Sequence, residues 1–211
     1  MKRFALIGLL VVLLGGCSTT AMVPATLSET VQLMMEPVDV AGNLEYTSLV
    51  HDDSIVVVRK YKDGRPYKTM ASKKVPQVES FRQVLAQYVS LKFNPIAEDS
   101  ITLRVTLEQV EPVYQINESA TSMALKTLFS PGTSQAIYYC SHTGTIEIIH
   151  KGNKLLTRRI TSTANSQDIE AIGYVVDKRG KEDAIMAQVC NASMDRFVIQ
   201  MDKLIDVSLS N

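Results

Sequence analysis

Residues 101–110, ITLRVTLEQV, alternate with a period of two. Ile101, Leu103, Val105 and Leu107 fall on one side, and Thr102, Arg104, Thr106 and Glu108 on the other. Successive side chains of a strand point to opposite faces, so this segment builds a sheet with one dry face and one wet face. A sheet covered on one side only is the habit of antiparallel rather than doubly wound parallel architectures. The fold class that follows is α+β: an antiparallel sheet with two amphipathic helices packed on one face.

The two helices show in the three- and four-residue spacing of apolar positions. Val78, Phe81, Val84, Leu85, Tyr88 and Leu91 make one stripe, opened near Pro76 and ended by Asn94-Pro95. Met186, Val189, Cys190, Phe197, Met201, Leu204 and Ile205 make the other, with small Ser193 between them and Glu182 and Asp183 favouring the start. Around them lie turn signals. Ile55–Val58 leads to Asp63-Gly64, read as a hairpin turn with both residues at positive φ. A long hairpin over 136–166 turns at Gly152-Asn153. The stretch ETVQLMMEPVDV reads as a short edge strand limited by Pro37. Residues 169–180 read as an irregular connection.

The N-terminus has a different logic. Lys2 and Arg3 precede an apolar run of 11 residues, Phe4 to Leu14. That run is too short for a hydrocarbon core of ~30 Å and suits a signal peptide. Leu14-Gly15-Gly16-Cys17 resembles the bacterial lipobox, in which the cysteine is acylated and the peptide before it removed. The expected division is a signal peptide over 1–16, a lipidated tether over 17–28, small, polar and proline-containing, and a periplasmic α+β domain over 29–211. Each buried CH₂ contributes ~0.8 kcal/mol, so several acyl chains on Cys17 hold a domain to a bilayer effectively permanently. Ser18 fits the type sorted to the outer membrane.

Composition excludes other classes. The chain has 22 basic and 22 acidic side chains, and no clustered basic excess of the kind nucleic acid requires. Metal chemistry has few ligands to draw on. His51, His142 and His150 are the only histidines, and the last two, on one strand, stand ~27 Å apart at ~3.4 Å per residue. Each reads as a lone surface histidine. The motifs G-x-S-x-G, S-x-x-K and H-E-x-x-H are missing, as are nucleotide-binding glycine loops. The acidic pairs Asp52-Asp53, Glu182-Asp183 and Asp168/Glu170 read as solvated caps. Gly144, inside a strand, reads as a bulge or a close approach. No catalytic residue and no cofactor are expected, although a hydrolase assembled only by the fold stays open.

Cys140 and Cys190 remain once Cys17 carries lipid. In an oxidising compartment an even pair invites a disulfide; two buried free thiols are the alternative. Cys140 shares strand parity with Ile146 and Ile148, and Cys190 lies on the apolar stripe of the closing helix, so each faces the core.

Two stretches are candidate surfaces. Gln115 to Gln135 is long for a connection and holds Met123, Leu125, Leu128 and Phe129. It is either a short helix packed on the domain or an apolar loop that enters a partner. Arg59, Lys60, Lys62, Arg65 and Lys68 crowd the first hairpin. They are either charge protecting a sheet edge or a patch for peptidoglycan or anionic headgroups. Tyr138-Tyr139 suits a ring platform for sugar, but only one of two neighbouring strand residues can line a given surface.

With these residues in view, the sequence resembles the YajG-type family of small Gram-negative lipoproteins. The resemblance rests on the lipobox Leu14-Gly15-Gly16-Cys17, the helix over Phe81 to Phe93, ITLRVTLEQV, the turn KGNK before LLTRRITSTAN, and the closing EDAIMAQVCNASMDRFVIQMDKL. It covers about two thirds of the chain. The resemblance implies an outer-membrane lipoprotein with a periplasmic α+β domain and no assigned catalysis. The Cys140/Cys190 pair and the apolar stretch around Leu125 to Phe129 depart from the family pattern. The functional expectation is a non-enzymatic accessory subunit, anchored to the membrane by acylated Cys17 and binding an envelope protein through the 115–135 stretch. Binding of peptidoglycan or lipid through the basic hairpin is the alternative.

Overall fold

The structure is a computed structural model. It describes residues 25–67, 75, 77–129, 136–171 and 182–210, without the side chains of 127–129, 170–171 and 182. One five-stranded sheet forms the frame, with β1 Ala41–Ser48, β2 Val58–Tyr61, β3 Ser100–Ile116, β4 Ala136–His150 and β5 Asn153–Asn165. The order is β1-β3-β4-β5, and β2 continues the β1 edge along the far half of β3. The three long strands are mutually antiparallel. β1 and β2 run parallel to β3, so the sheet is mixed rather than purely antiparallel. A parallel neighbour needs a crossover connection, and α2 Val78–Lys92 supplies it.

The α+β class holds, and the alternation of β3 partitions as the sequence requires. Ile101, Leu103, Val105 and Leu107 are buried. They face α2 and the 28-residue helix α5 Glu182–Leu209. The other face is wet and charged: Arg104 pairs with Glu45 on β1 (2.8 Å) and with Glu147 on β4 (3.0 Å), and Lys154 on β5 completes the ladder at Glu147. Gly144 marks a close approach, as expected. A Cβ there would stand 2.7 Å from the Thr106 carbonyl oxygen and 3.4 Å from the Phe197 ring.

Several local expectations are corrected. Residues 29–34 form a helix, α1 Glu29–Met34, not an edge strand; the Ser28 side chain accepts from Val31 N and caps it. In the first turn only Gly64 has positive φ (82°), and the return past it is a single bridge, Lys60 to Pro66, rather than a full hairpin. The β4–β5 turn centres on Lys151 and Gly152 (φ 50° and 80°), one residue earlier than read from the sequence. Residues 120–129 form α3 Ala120–Phe129, whereas Gln115 and Ile116 complete β3. Ser166–Ala171 is a short helix, α4. Ala25 and Leu27, assigned to the tether, are buried against the domain. The signal peptide, Cys17 and Pro76 lie outside the described residues. Among the described residues no helix is long and apolar enough to cross a membrane.

Candidate functional site

The basic turn, the apolar helix and Tyr138 were separate candidates in the sequence; the fold brings them to one end of the sheet. β2 pairs with Val113–Ile116 of β3, and the turn after it reaches the start of α3. Lys62 N donates to the Glu118 carbonyl (3.0 Å), and Ala120 N donates to Asp63 Oδ2 (3.1 Å). A carboxylate at the exposed amides of a helix start satisfies donors the helix cannot. The turn thereby fixes the direction in which α3 leaves the sheet. On α3, Leu125 is 54% exposed and Met123 half-buried. Lys126 reaches Glu118 (2.7 Å). Of the basic set, Lys62 and Arg65 are exposed and Arg59 and Lys60 half-buried. Lys68 and the side chains of Leu128 and Phe129 lie outside the described residues.

Beside this turn four tyrosines join in a chain of ring contacts, two T-shaped and one tilted. Tyr61 and Tyr67 meet at 5.3 Å, Tyr67 and Tyr114 at 6.4 Å, and Tyr114 and Tyr138 at 5.3 Å between ring centroids. The Arg59 guanidinium stands 5.5 Å from the centre of the Tyr114 ring, within cation–π range. Tyr138 belongs to this platform, but its partners are not its sequence neighbour Tyr139. They come from the turn and from β3. Tyr114 turns to this side because the β3–β4 register shifts between Leu107 and Gln109, which reverses the parity of everything after it.

A second constellation sits mid-sheet, and its position corrects the surface assignment of His142. That ring is wholly buried and stacks on Phe81 at 5.4 Å. Its Nδ1 is 3.0 Å from Ser193 Oγ, which also donates to the Ser162 carbonyl (3.1 Å). Ser beside His is the pairing of a nucleophile and a base. Here both are sealed from solvent, and burial pushes the His142 pKa down to about 3, far below the range useful to a general base at neutral pH. This contact is structural. His150 is different: it is half-buried and bonds Asp99 (2.9 Å). Among the described residues no three His, Cys, Asp or Glu side chains gather as metal ligands do.

The acidic groups serve local structure. Asp52 Oδ1 accepts from Gln77 N (2.6 Å) and Val78 N (2.8 Å) and so caps α2 from outside its own helix. Asp168 pairs with Arg196 (3.2 Å). Cys140 and Cys190 meet with Cα atoms 5.0 Å apart, paired as a disulfide between β4 and α5.

No family model and no curated protein matches the sequence. Solved structures match at low similarity. One, described as an uncharacterized protein, is 9% identical over 81% of this chain and 95% of its own, with a TM-score of 0.40. Another, protein XCC0632 from Xanthomonas campestris, described by family DUF330, is 10% identical over 80% of this chain and 84% of its own, with a TM-score of 0.47. At these similarities neither assigns a function.

Proposed function

We propose that this chain is a non-enzymatic lipoprotein of the outer membrane, of the YajG type, held by acyl chains on Cys17, and that its periplasmic domain binds another envelope protein. Confinement near the membrane raises the effective concentration of the domain for a local partner. The binding surface is the sheet end where the basic turn and α3 meet, with Leu125 at its centre. The observation that carries this reading is the pair of hydrogen bonds by which Lys62 and Asp63 hold Glu118 and Ala120. They make an exposed apolar helix and a basic turn one surface instead of two. Leu125→Asp with Lys62→Glu, in a protein that still forms its disulfide, reduces recovery of a partner crosslinked at that surface by tenfold or more. Undiminished recovery rejects the surface.

A second reading is favoured by the tyrosine platform. Arg59 over Tyr114, with Tyr61, Tyr67 and Tyr138 around it, offers ring faces and a cation to the sugars and carboxylates of peptidoglycan. Co-sedimentation with purified sacculi that is lost in Tyr67→Ala and Arg59→Ala supports this reading over the first.

A further inference from the structure

β5 ends the sheet on one side, and among the described residues no strand lies against its outer edge. An edge strand presents a row of backbone N–H and C=O groups that another strand can pair with. At 13 residues β5 is long for an edge, and it holds no proline. One end is shut. Arg196 on α5 donates from Nη1 to the Thr163 carbonyl (2.6 Å) and is itself paired with Asp168. The other end is broken by the register shift between Ile148 and Ile149, opposite Leu155. Between the two, residues 156–162 pair in unbroken register with β4 on their inner side.

The charge along this edge has one sign. Residues 153–165 carry Lys154, Arg158 and Arg159 and no acidic side chain. Lys154 and Arg159 lie on the wet face, where Glu147 and Glu108 match them. Arg158 has the parity of Ile160 and Ser162, so it stands on the side of α5. It is exposed, and among the described residues no carboxylate meets it. The helix adds a second cation. α5 runs antiparallel to β5: Ser193 bonds the Ser162 carbonyl (3.1 Å), and the Phe197 ring lies at Gly144, the partner of Ile160. Lys203 follows Arg196 by seven residues, about two turns, and so projects from the same side of the helix. Past Phe197 the helix has risen ~9 Å at Lys203. Arg158 lies ~7 Å beyond Ile160 along the strand, so the two cations stand level. Lys203 is exposed and also meets no carboxylate among the described residues.

We propose that the edge of β5 takes an extended acidic segment of a partner protein as a further strand of the sheet, with Arg158 and Lys203 reading its carboxylates. The surface is separate from the α3 end, because β2 and its turn lie on the opposite edge of the sheet. In strand addition the main chain supplies hydrogen bonds without regard to sequence, and alternate side chains supply the selectivity. Here the selecting groups are two cations without counter-charge, level with each other on either side of the same open edge. The same cations disfavour a second copy of this chain. Two β5 edges laid together would set cation against cation, and like charges across a strand pair destabilise it. An acidic strand meets both with opposite charge.

The test uses the full chain in detergent and an array of peptides of about nine residues, enough to span 156–162. Threonine fills the odd positions, and glutamate, lysine or serine the even ones. The glutamate set should bind about tenfold tighter than the lysine set or better, less tightly in high salt, and should slow amide exchange within 156–162. Proline at the centre of the peptide should abolish binding. Arg158→Glu with Lys203→Glu, both at exposed positions that leave the core intact, should reverse the preference toward lysine. Binding that ignores peptide charge, survives the proline or slows exchange at α3 instead overturns the proposal, as does no binding at all. A dimer in sedimentation that protects 156–162 overturns it in favour of a second copy.

Discussion

Among the described residues two bases are wholly buried, Lys92 at the end of α2 and His142 in the middle of β4, and the fold treats them in opposite ways. Lys92 keeps its charge. Burial alone pulls an ammonium down, but the hydrogen bonds it donates to Asp206 (2.6 Å) and Asp202 (3.0 Å), together with their charges, outweigh it and leave the lysine pKa raised. Tyr88 donates to the same Asp202 (2.8 Å), and burial with that carboxylate pushes its phenol up. His142 has no carboxylate beside it. It is given a serine hydroxyl on Nδ1, an aromatic face, and no hydrogen-bond partner at Nε2. Burial therefore holds it neutral. Of these two bases, the one that keeps its charge is the one to which a second helix delivers a counter-charge.

The two regions also clamp α5 by different means. The Lys92 cluster fastens its C-terminal half by ions. The Cys140–Cys190 pair fastens the first half covalently, two strand residues from His142 and one helical turn before Ser193. The largest expected effect comes from stripping Lys92 of its partners. Asp202→Asn with Asp206→Asn leaves a buried ammonium uncompensated, which costs about 3 to 5 kcal/mol. Urea denaturation at pH 7 measures it. Lys92→Met should cost much less, about 1 to 2 kcal/mol, because the two carboxylates reach solvent, at 17% and 49% exposure, and rehydrate. Equal losses in the two variants would break the asymmetry on which the ionic clamp rests.

Next comes the covalent clamp. Closing a loop over a sequence separation of 50 residues stabilises by up to about 4 kcal/mol on the chain-entropy model. Cys140→Ala with Cys190→Ala should lower the unfolding free energy by a comparable amount, and dithiothreitol should lower that of the parent but not of the double variant. Thiol labelling of unreduced, denatured protein should modify neither residue. Rapid labelling of both would leave the first half of α5 held by packing alone.

Local signals in the sequence were enough for one clamp and not for the other. Cys140 shares parity with Ile146 and Ile148, and Cys190 sits on a helical stripe, so each could be placed inward from its own element. His142 has the same parity as Cys140, and its burial was there to be read, but a histidine's usual exposure pointed the other way. Lys92 follows Tyr88 by four residues on the buried side of α2, while Leu91, read as core, is exposed. A lysine on an inner stripe makes sense only with counter-charges, and those lie more than 100 residues along the chain. The tyrosine platform was hidden by a single register shift in β3, which no periodicity announces. The parallel edge was hidden because β1 and β2 are short and separated by a turn that pairs with neither. The expected acylation of Cys17, by contrast, rests on the sequence alone and lies outside the residues the structure describes.

The smallest effect at neutral pH, and the sharpest test of the contrast in acid, comes from His142. Its folded pKa lies below its unfolded value, about 3 against 6.5, so the unfolded chain binds the proton more readily. The stability tied to a neutral ring is therefore complete above pH 6.5 and is lost as pH falls toward 3. At pH 4.5 the loss is already roughly 3 kcal/mol, from two pH units at about 1.4 kcal/mol each. Asp99, Glu108 and Glu147, whose pKa values are held down by hydrogen bonds and opposite charges, are ionised in the folded and the unfolded chain alike until pH nears their unfolded values of 3.8 and 4.5, so they add to the slope only at the acid end of this window. Lys92 works at the other extreme. Its raised pKa contributes stability that is complete below about 10.5 and disappears only as pH rises past its folded value. His142→Leu removes the unpartnered Nε2 and leaves Ser193 its bond to Ser162, so it should be close to neutral at pH 7.5. Between pH 6.5 and 4.5 it should flatten the fall in unfolding free energy. If the variant loses stability with acid as steeply as the parent, His142 takes up its proton without unfolding, and the region around it is wetter than the buried stack on Phe81 allows.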